Sequence, residues 1–389
     1  MKTLTHYVIY LLALGAFLTG TAEFIVSGIL EIISSDLDVS ISVAGQLITI
    51  YSLSYAIGAL ILVIITSNFA RKKVLISSLI IFLIGNIIAY FSFNYVILML
   101  SRVMMAISGG LFIVVATNYA SNLAKPGKRG SAMAMVITGF TISLALGVPI
   151  GTFIAAHIDW HNIFLILGVI TLFNIILLTK YLPKLDGETP MPIKEQLLLL
   201  KDKRLLSGLF ITVFWILGYT FVFAYISPIL SSYADFSIEM ISISLLILGA
   251  SAFIGSRFGG YAVDRWGFSR TIYLSLVIHS TALFVLTFTI FSTIGTFITI
   301  IIWATAAWTT TPAKQYYLTS LKPQSSEIII SFDTTIMNIG MTLGAGLGGL
   351  VIEYSSVFNL IWLGGLMVLA ALMMSVYSFK LNKDKQSSY

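Results

Sequence analysis

The side chains able to do chemistry are few, and their spacing excludes most chemistry. The chain has no cysteine, so thiol nucleophiles, thiolate metal sites and disulfides are out. Its four histidines, His6, His157, His161 and His279, stand at no metal-ligand spacing, and no H-E-x-x-H is present. Pro126-Gly127-Lys128 lacks the earlier glycine of a phosphate-binding G-x-x-x-x-G-K-[ST] loop. What stands out is a small set of charges inside long apolar runs: Glu23, Arg102, Lys314 and Asp333. A charge at bilayer depth costs at least about 2.5–3.5 kcal/mol, so each needs a partner or a task. A carboxyl there can take up and release a proton, the task expected of Glu23; the alternative is a carboxylate locked to Arg102. Lys314 and Asp333, on consecutive apolar runs, suggest an ion pair, either structural or a gate. Glu31 lies near a run's edge and reads as a solvated acid.

The elements that carry these residues are membrane spans. Residues of the AVILMFWYC set make up 58% of 389, and charged residues only 10%, against about 25% charged in soluble domains. Apolar runs lie near 6–33, 41–66, 73–92, 95–121, 131–156, 162–181, 206–230, 240–258, 270–291, 295–320, 328–352 and 357–379, each long enough to cross about 30 Å of hydrocarbon. The first has no A-x-A cleavage site after Lys2 and reads as a retained helix. The expected fold is an all-α membrane protein of twelve transmembrane helices. They form an N-terminal six-helix bundle (1–181), a polar cytoplasmic loop (182–205) and a C-terminal six-helix bundle (206–389).

Charge sets the expected orientation. With a cytoplasmic N-terminus, every one of the 22 Lys and Arg residues except the intramembrane Arg102 and Lys314 falls on the cytoplasmic side. The outer loops carry Asp36, Asp38, Asp159, Asp235 and Glu239. This asymmetry implies both termini in the cytoplasm. It also accounts for the net charge of +6 without nucleic acid, since no contiguous basic face with aromatics is present.

The two bundles should be repeats. Ser143, Gly147 and Gly151 recur 197 positions on as Gly340, Gly344 and Gly348, and Ser67-Asn68-Phe69-Ala70 recurs at the same offset as Asp264-Arg265-Trp266-Gly267. Duplicated halves are a transporter architecture.

Gly260-Tyr261-Ala262-Val263-Asp264-Arg265-Trp266-Gly267 resembles the G-x-x-x-D-R-x-G signature of the major facilitator superfamily. The resemblance implies a conformational latch built from Gly260, which would let helices approach, Asp264, Arg265 and Gly267; the first-half copy has lost the Asp-Arg pair. Gly147-Val148-Pro149-Ile150-Gly151 resembles the exporters' antiporter motif G-x-P-x-G, with Gly147 and Gly151 for tight packing and Pro149 bending the span. Leu98 to Arg102 resembles the intramembrane arginine motif, with Met105 and Ala106 where the family has Gln and Gly. Ala22 to Leu30, Ala44-Gly45-Gln46-Leu47 and Pro312-Ala313-Lys314-Gln315 resemble the drug/proton antiporter branch, and within it the Bacillus-type purine base and nucleoside efflux pumps.

The resemblance implies a proton-driven exporter in a bacterial cytoplasmic membrane, with protons as coupling ion, no other cofactor, and membrane lipid and a small-molecule cargo as partners. It implies a monomer and no enzyme activity. Purine bases or nucleosides lead as cargo, ahead of drugs or sugars; an uptake facilitator or a non-transporting sensor is the reading from another class. Proton coupling falls to Glu23, Arg102 and Asp333, and cargo contact to Glu23, Tyr219, Tyr225, Trp303, Lys314 and Asn338. Polar-tipped aromatics suit a planar ligand, though lipid interfaces and cores use them too.

Overall fold

The computed structural model describes residues 2–124, 129–183 and 198–386. Pro126 to Lys128 and most of the central polar loop lie outside these residues. All secondary structure among the described residues is helical. The residues cluster into two compact units, Met1–Pro190 and Met191–Tyr389. Among the described residues, twelve helices are long and apolar enough to cross a membrane, six in each unit. The first unit holds Tyr7–Gly28, Ile41–Val63, Arg71–Tyr90, Tyr95–Leu123, Ala132–His157 and His161–Tyr181. The second holds Lys203–Phe223, Ile238–Trp266, Phe268–Thr289, Thr293–Leu321, Ile328–Tyr354 and Asn359–Leu381. They are called the first to twelfth spans below.

Ile, Leu, Val and Phe side chains are exposed along the spans, for example Ile150, Phe153, Val169, Leu172 and Phe173 on the fifth and sixth spans. A water-soluble fold would bury such a surface; one solvated by lipid need not. Several span starts carry side-chain caps that satisfy free helix N–H groups. Asn94, Ser237 and Ser292 each accept from the backbone N–H three residues on. Asp202 caps the seventh span, accepting from Arg204 N at 3.0 Å and from its guanidinium at 2.8 Å. That start, Lys203, lies slightly before the expected 206. Partial burial acts to raise the Asp202 carboxyl, but the Arg204 bonds and charge outweigh it and hold the group below its ordinary value.

The repeat extends to backbone detail. The two non-glycine residues with positive φ among those described, Asp38 at 50° and Asp235 at 52°, are 197 positions apart (38 to 235). So are Ser40, which caps Val43 N, and Ser237, which caps Met240 N. The fifth-to-sixth turn, where His161 N donates to Asp159, has its counterpart where Phe358 N donates to Ser356. Partial burial acts to raise Asp159, but the His161 hydrogen bonds and charge hold it below its ordinary value.

Two expected spans are broken. The run 6–33 divides into a helix ending at Gly28 and a short helix Leu30–Asp36. Ser27-Gly28 sits at the break, with Ser27 Oγ bonding back to the Phe24 carbonyl at 2.7 Å; Gly/Ser pairs are a recurrent cause of kinks. The run 206–230 divides likewise into Lys203–Phe223 and Ile226–Ala234. There Pro228 has no N–H to continue the ladder.

The fifth span departs from regular α-helix ahead of Pro149. A π-helical turn occupies Ser143–Gly147, just ahead of Pro149, with Val148 N donating to the Ser143 carbonyl. The widened turn accommodates the ladder bond that proline, having no N–H, cannot make. The eleventh span, its repeat partner, is one regular helix.

Candidate proton and cargo site

In the first unit the site forms on the first span. A Cβ at Gly147 would collide with Thr21 Oγ1, and one at Gly151 with Ile25 Cδ1. The two antiporter-motif glycines thus bracket Glu23, bringing the fifth-span backbone against the first span on either side of it. The expected close packing is present. The eleventh span does the same in the second unit: Gly344 lies 2.7 Å, measured from an ideal Cβ, from Thr220 Cβ, and Gly348 the same distance from the Tyr225 ring.

Glu23 is buried, and its Oε2 has no hydrogen-bond partner. Arg102, from the fourth span, is fully buried beside it. The guanidinium donates to the Ala22 carbonyl through Nη1 and to the Glu23 carbonyl through Nη2 at 3.2 Å. Its other support is the Tyr51 ring of the second span, 4.0 Å from the guanidinium carbon to the ring centroid, a cation–π contact. Tyr51 Oη donates to the Thr19 carbonyl at 3.5 Å. The arginine therefore grips the first-span backbone. It is not locked on the carboxylate, as the structural alternative required. Tyr51 escaped the sequence reading; it lies on a different span from Glu23 and Arg102, and nothing in the sequence sets it beside them. Glu31, half-buried rather than fully solvated, sits in the first turn of its short helix, where acids are favoured.

In the second unit, Tyr219 is the hub of an aromatic cluster. Its ring centroid lies 5.3 Å from Trp303, 6.2 Å from Trp308 and 6.4 Å from His279. Trp308 Nε1 donates to Tyr219 Oη at 3.4 Å, and Trp303 Nε1 to His279 Nε2 at 3.0 Å. An indole nitrogen only donates, so His279 accepts through Nε2 and a neutral ring carries its hydrogen on Nδ1. That buried Nδ1 has no partner. His279 was weighed only as a metal ligand in the sequence; a lone histidine midway along an apolar run was the overlooked sign.

The other cargo candidates separate. Tyr225 donates to the Ala345 carbonyl at 2.7 Å and packs on Gly348, a helix-packing role. Asn338 donates to its own helix, to Thr334 O at 3.1 Å, while its buried Oδ1 is unpartnered. Lys314 and Asp333 do meet: Nζ lies 2.6 Å from Oδ1 and also bonds Oδ2. Thr212 Oγ1 donates to the same Oδ1 at 2.6 Å.

The latch residues are placed less as expected. Nothing lies within 4 Å of a Cβ built on Gly260. Gly259 is the close-packing glycine, against the Thr309 carbonyl and Pro312 of the tenth span. The helical face, rather than the motif, decides which glycine faces a neighbour. Gly267, with φ 79° and ψ 159°, ends the eighth span in a conformation only glycine takes readily. Asp264 and Arg265 are exposed, and Arg265 Nη1 donates to Tyr261 Oη at 3.3 Å.

Among the described residues, twelve apolar helices in two repeated six-span units, with buried charges on two spans of each, define a multi-pass membrane protein of transporter type. The comparisons with known proteins identify it further. The Major Facilitator Superfamily model matches residues 12–329, and the chain belongs to that family. It is 37% identical over 379 residues to the uncharacterized MFS-type transporter YbcL of Bacillus subtilis (strain 168), covering 97% of each. It is 32% identical over 383 residues to the uncharacterized MFS-type transporter YtbD of the same organism, covering 97% of this chain and 96% of that one. Among solved structures it resembles the xylose transporter XylE from E. coli in a partially occluded inward-open conformation (TM-score 0.77, 14% identity, 95% and 97% of the two chains). It also resembles a bacterial homologue of the human lysosomal transporter Spinster (TM-score 0.75, 16% identity, 97% and 96%). At these identities the structural likeness speaks for the fold alone.

Proposed function

We propose that the protein is a proton-coupled exporter of small molecules, with purine bases or nucleosides as leading cargo. The observation that carries the reading is the state of Glu23: buried in the first span, with a carboxyl oxygen lacking any hydrogen-bond partner and the neighbouring arginine engaged on backbone carbonyls. A carboxylate left so in hydrocarbon is costly when charged, and a proton removes the cost. Arg102 supplies positive charge beside it when the proton leaves. Export rather than uptake is supported by the G-x-P-x-G segment, whose glycines pack on both sides of Glu23.

The cargo reading draws on the Tyr219, Trp303 and Trp308 cluster, whose rings could stack on a planar heterocycle, and on His279 Nδ1–H as a donor for a ring nitrogen or carbonyl. The reading takes the protein as a monomer in a bacterial cytoplasmic membrane, and the charge asymmetry of its loops supports having both termini inside. The test is transport in proteoliposomes under an imposed pH gradient, with radiolabelled hypoxanthine, adenosine, xylose and ethidium as probes. Gradient-driven movement of a purine supports the reading. Movement of only xylose or ethidium moves the cargo to sugars or drugs, and gradient-independent movement makes the protein a facilitator.

A further inference from the structure

The second unit contains a polar assembly that the proton and cargo reading does not use. Lys314 is fully buried on the tenth span and Asp333 is buried on the eleventh. Both lie about two turns from the adjoining ends of their spans (314 to 321, 326 to 333). The tenth span packs chiefly on the eighth and ninth, and the eleventh on the seventh; tenth and eleventh pack little on each other. The ion pair therefore bridges a seam.

The seventh span closes the bridge into a triangle. Thr212 donates to Asp333 Oδ1 at 2.6 Å, linking the seventh and eleventh spans. One turn on, Trp215 Nε1 donates to the Ala307 carbonyl at 3.1 Å, linking the seventh and tenth. The Trp215 ring also lies under the Lys314 ammonium, 5.4 Å to the centroid. Neither Lys314 nor Asp333 has an unpartnered buried polar atom, unlike Glu23 and Arg102. Thr212, Trp215 and Tyr219 share one face of the seventh span, so the register that the triangle fixes is also the register at which Tyr219 meets Trp303 and Trp308. At the same repeat offset the first unit has Thr117 and Val136 in place of Lys314 and Asp333, so the device belongs to one half only.

We propose that Lys314 and Asp333 act as one electroneutral clasp that fixes the register of the seventh, tenth and eleventh spans, and with it the alignment of the aromatic cluster, and that Asp333 is not a proton carrier. The groups set against the Asp333 carboxylate are Lys314 from the tenth span and Thr212 from the seventh, so Lys314 is its one charged partner among the described residues. The proposal rests on the preceding section only in treating the aromatic cluster as a cargo site, and its test needs no cargo.

The test is a double-mutant cycle on purified full-length protein: Lys314→Gln, Asp333→Asn and the two combined, read by thermal melts and by near-ultraviolet circular dichroism of the indoles. Each single change should lower the folded-to-unfolded ratio about a hundredfold or more, as unpairing a buried charge generally does, and weaken the indole signal. The double variant should regain most of both. Strictly additive losses overturn the clasp. If the single variants do not accumulate as folded protein, accumulation of the double variant still supports it, and absence of the double overturns it. The second readout is the stability difference between wild type and the double variant from pH 5 to 8. By linkage it should be flat if the pair exchanges no proton; a slope in that range overturns the exclusion of Asp333 as carrier.

Discussion

Arg102 donates to the backbone carbonyl of Glu23, at 3.2 Å, and not to its carboxylate. The arginine holds the first span by its main chain, shared with the Ala22 carbonyl, and leaves the acid beside it chemically available. Under the proposed function, one residue supplies position and charge and the other exchanges the proton.

Arg102→Lys keeps the charge but loses the planar fork that reaches two carbonyls and stacks on Tyr51. Hydrogen bonds to charged groups contribute about 1.5–3 kcal/mol each. Proton-driven transport should fall about tenfold or more, with a lower melting temperature. Wild-type melting and transport in this variant would remove the fork from the account.

The glycines of the eighth span give a paired prediction. Gly259→Ala forces a methyl group against the Thr309 carbonyl and Pro312, an overpacking that costs about 1–3 kcal/mol. Gly260→Ala meets nothing within 4 Å and should leave the melting temperature unchanged or slightly raised. The reverse order would show that the spans pack on the other face.

Asp202 predicts a pH dependence outside the membrane. Its folded carboxyl titrates below its ordinary value, so its stabilisation is full above the unfolded value of about 3.9 and fades as pH falls through the folded value. Asp202→Asn keeps a capping side chain and removes the charge. Melting curves of this variant and wild type should differ at pH 6, begin to approach each other below about pH 4, and meet once the pH has fallen through the folded value. A gap that persists unchanged at low pH would assign the effect to something other than ionisation.

Much of the architecture was written in the periodicity. Apolar runs gave the spans, and the offset of 197 gave a repeat that reaches down to Asp38 and Asp235, both held at positive φ. Buried charges marked Glu23, Arg102, Lys314 and Asp333 because hydrocarbon makes each one costly. Opposite signs on consecutive spans suggested a pairing of the last two without deciding it, and the structure brings them together. Rotation about the helix axes was not legible. That is why the motif glycine Gly260 was assigned the close contact that Gly259 makes. Breaks at Gly28 and before Ile226, and the π turn at Ser143–Gly147, arise from local hydrogen-bond exchanges that hydropathy does not register. The grip of Arg102 on carbonyl oxygens was invisible for a related reason: every residue has a carbonyl, so no residue type announces the acceptor.

The most direct test of the account is Glu23→Gln in proteoliposomes, using whichever cargo the vesicle assay identifies. Glutamine keeps the shape of a protonated glutamate and cannot release the proton. Accumulation driven by a pH gradient should be abolished, while exchange of labelled for unlabelled cargo without a gradient should continue. Undiminished gradient-driven accumulation in this variant would contradict the assignment of Glu23 as the proton carrier.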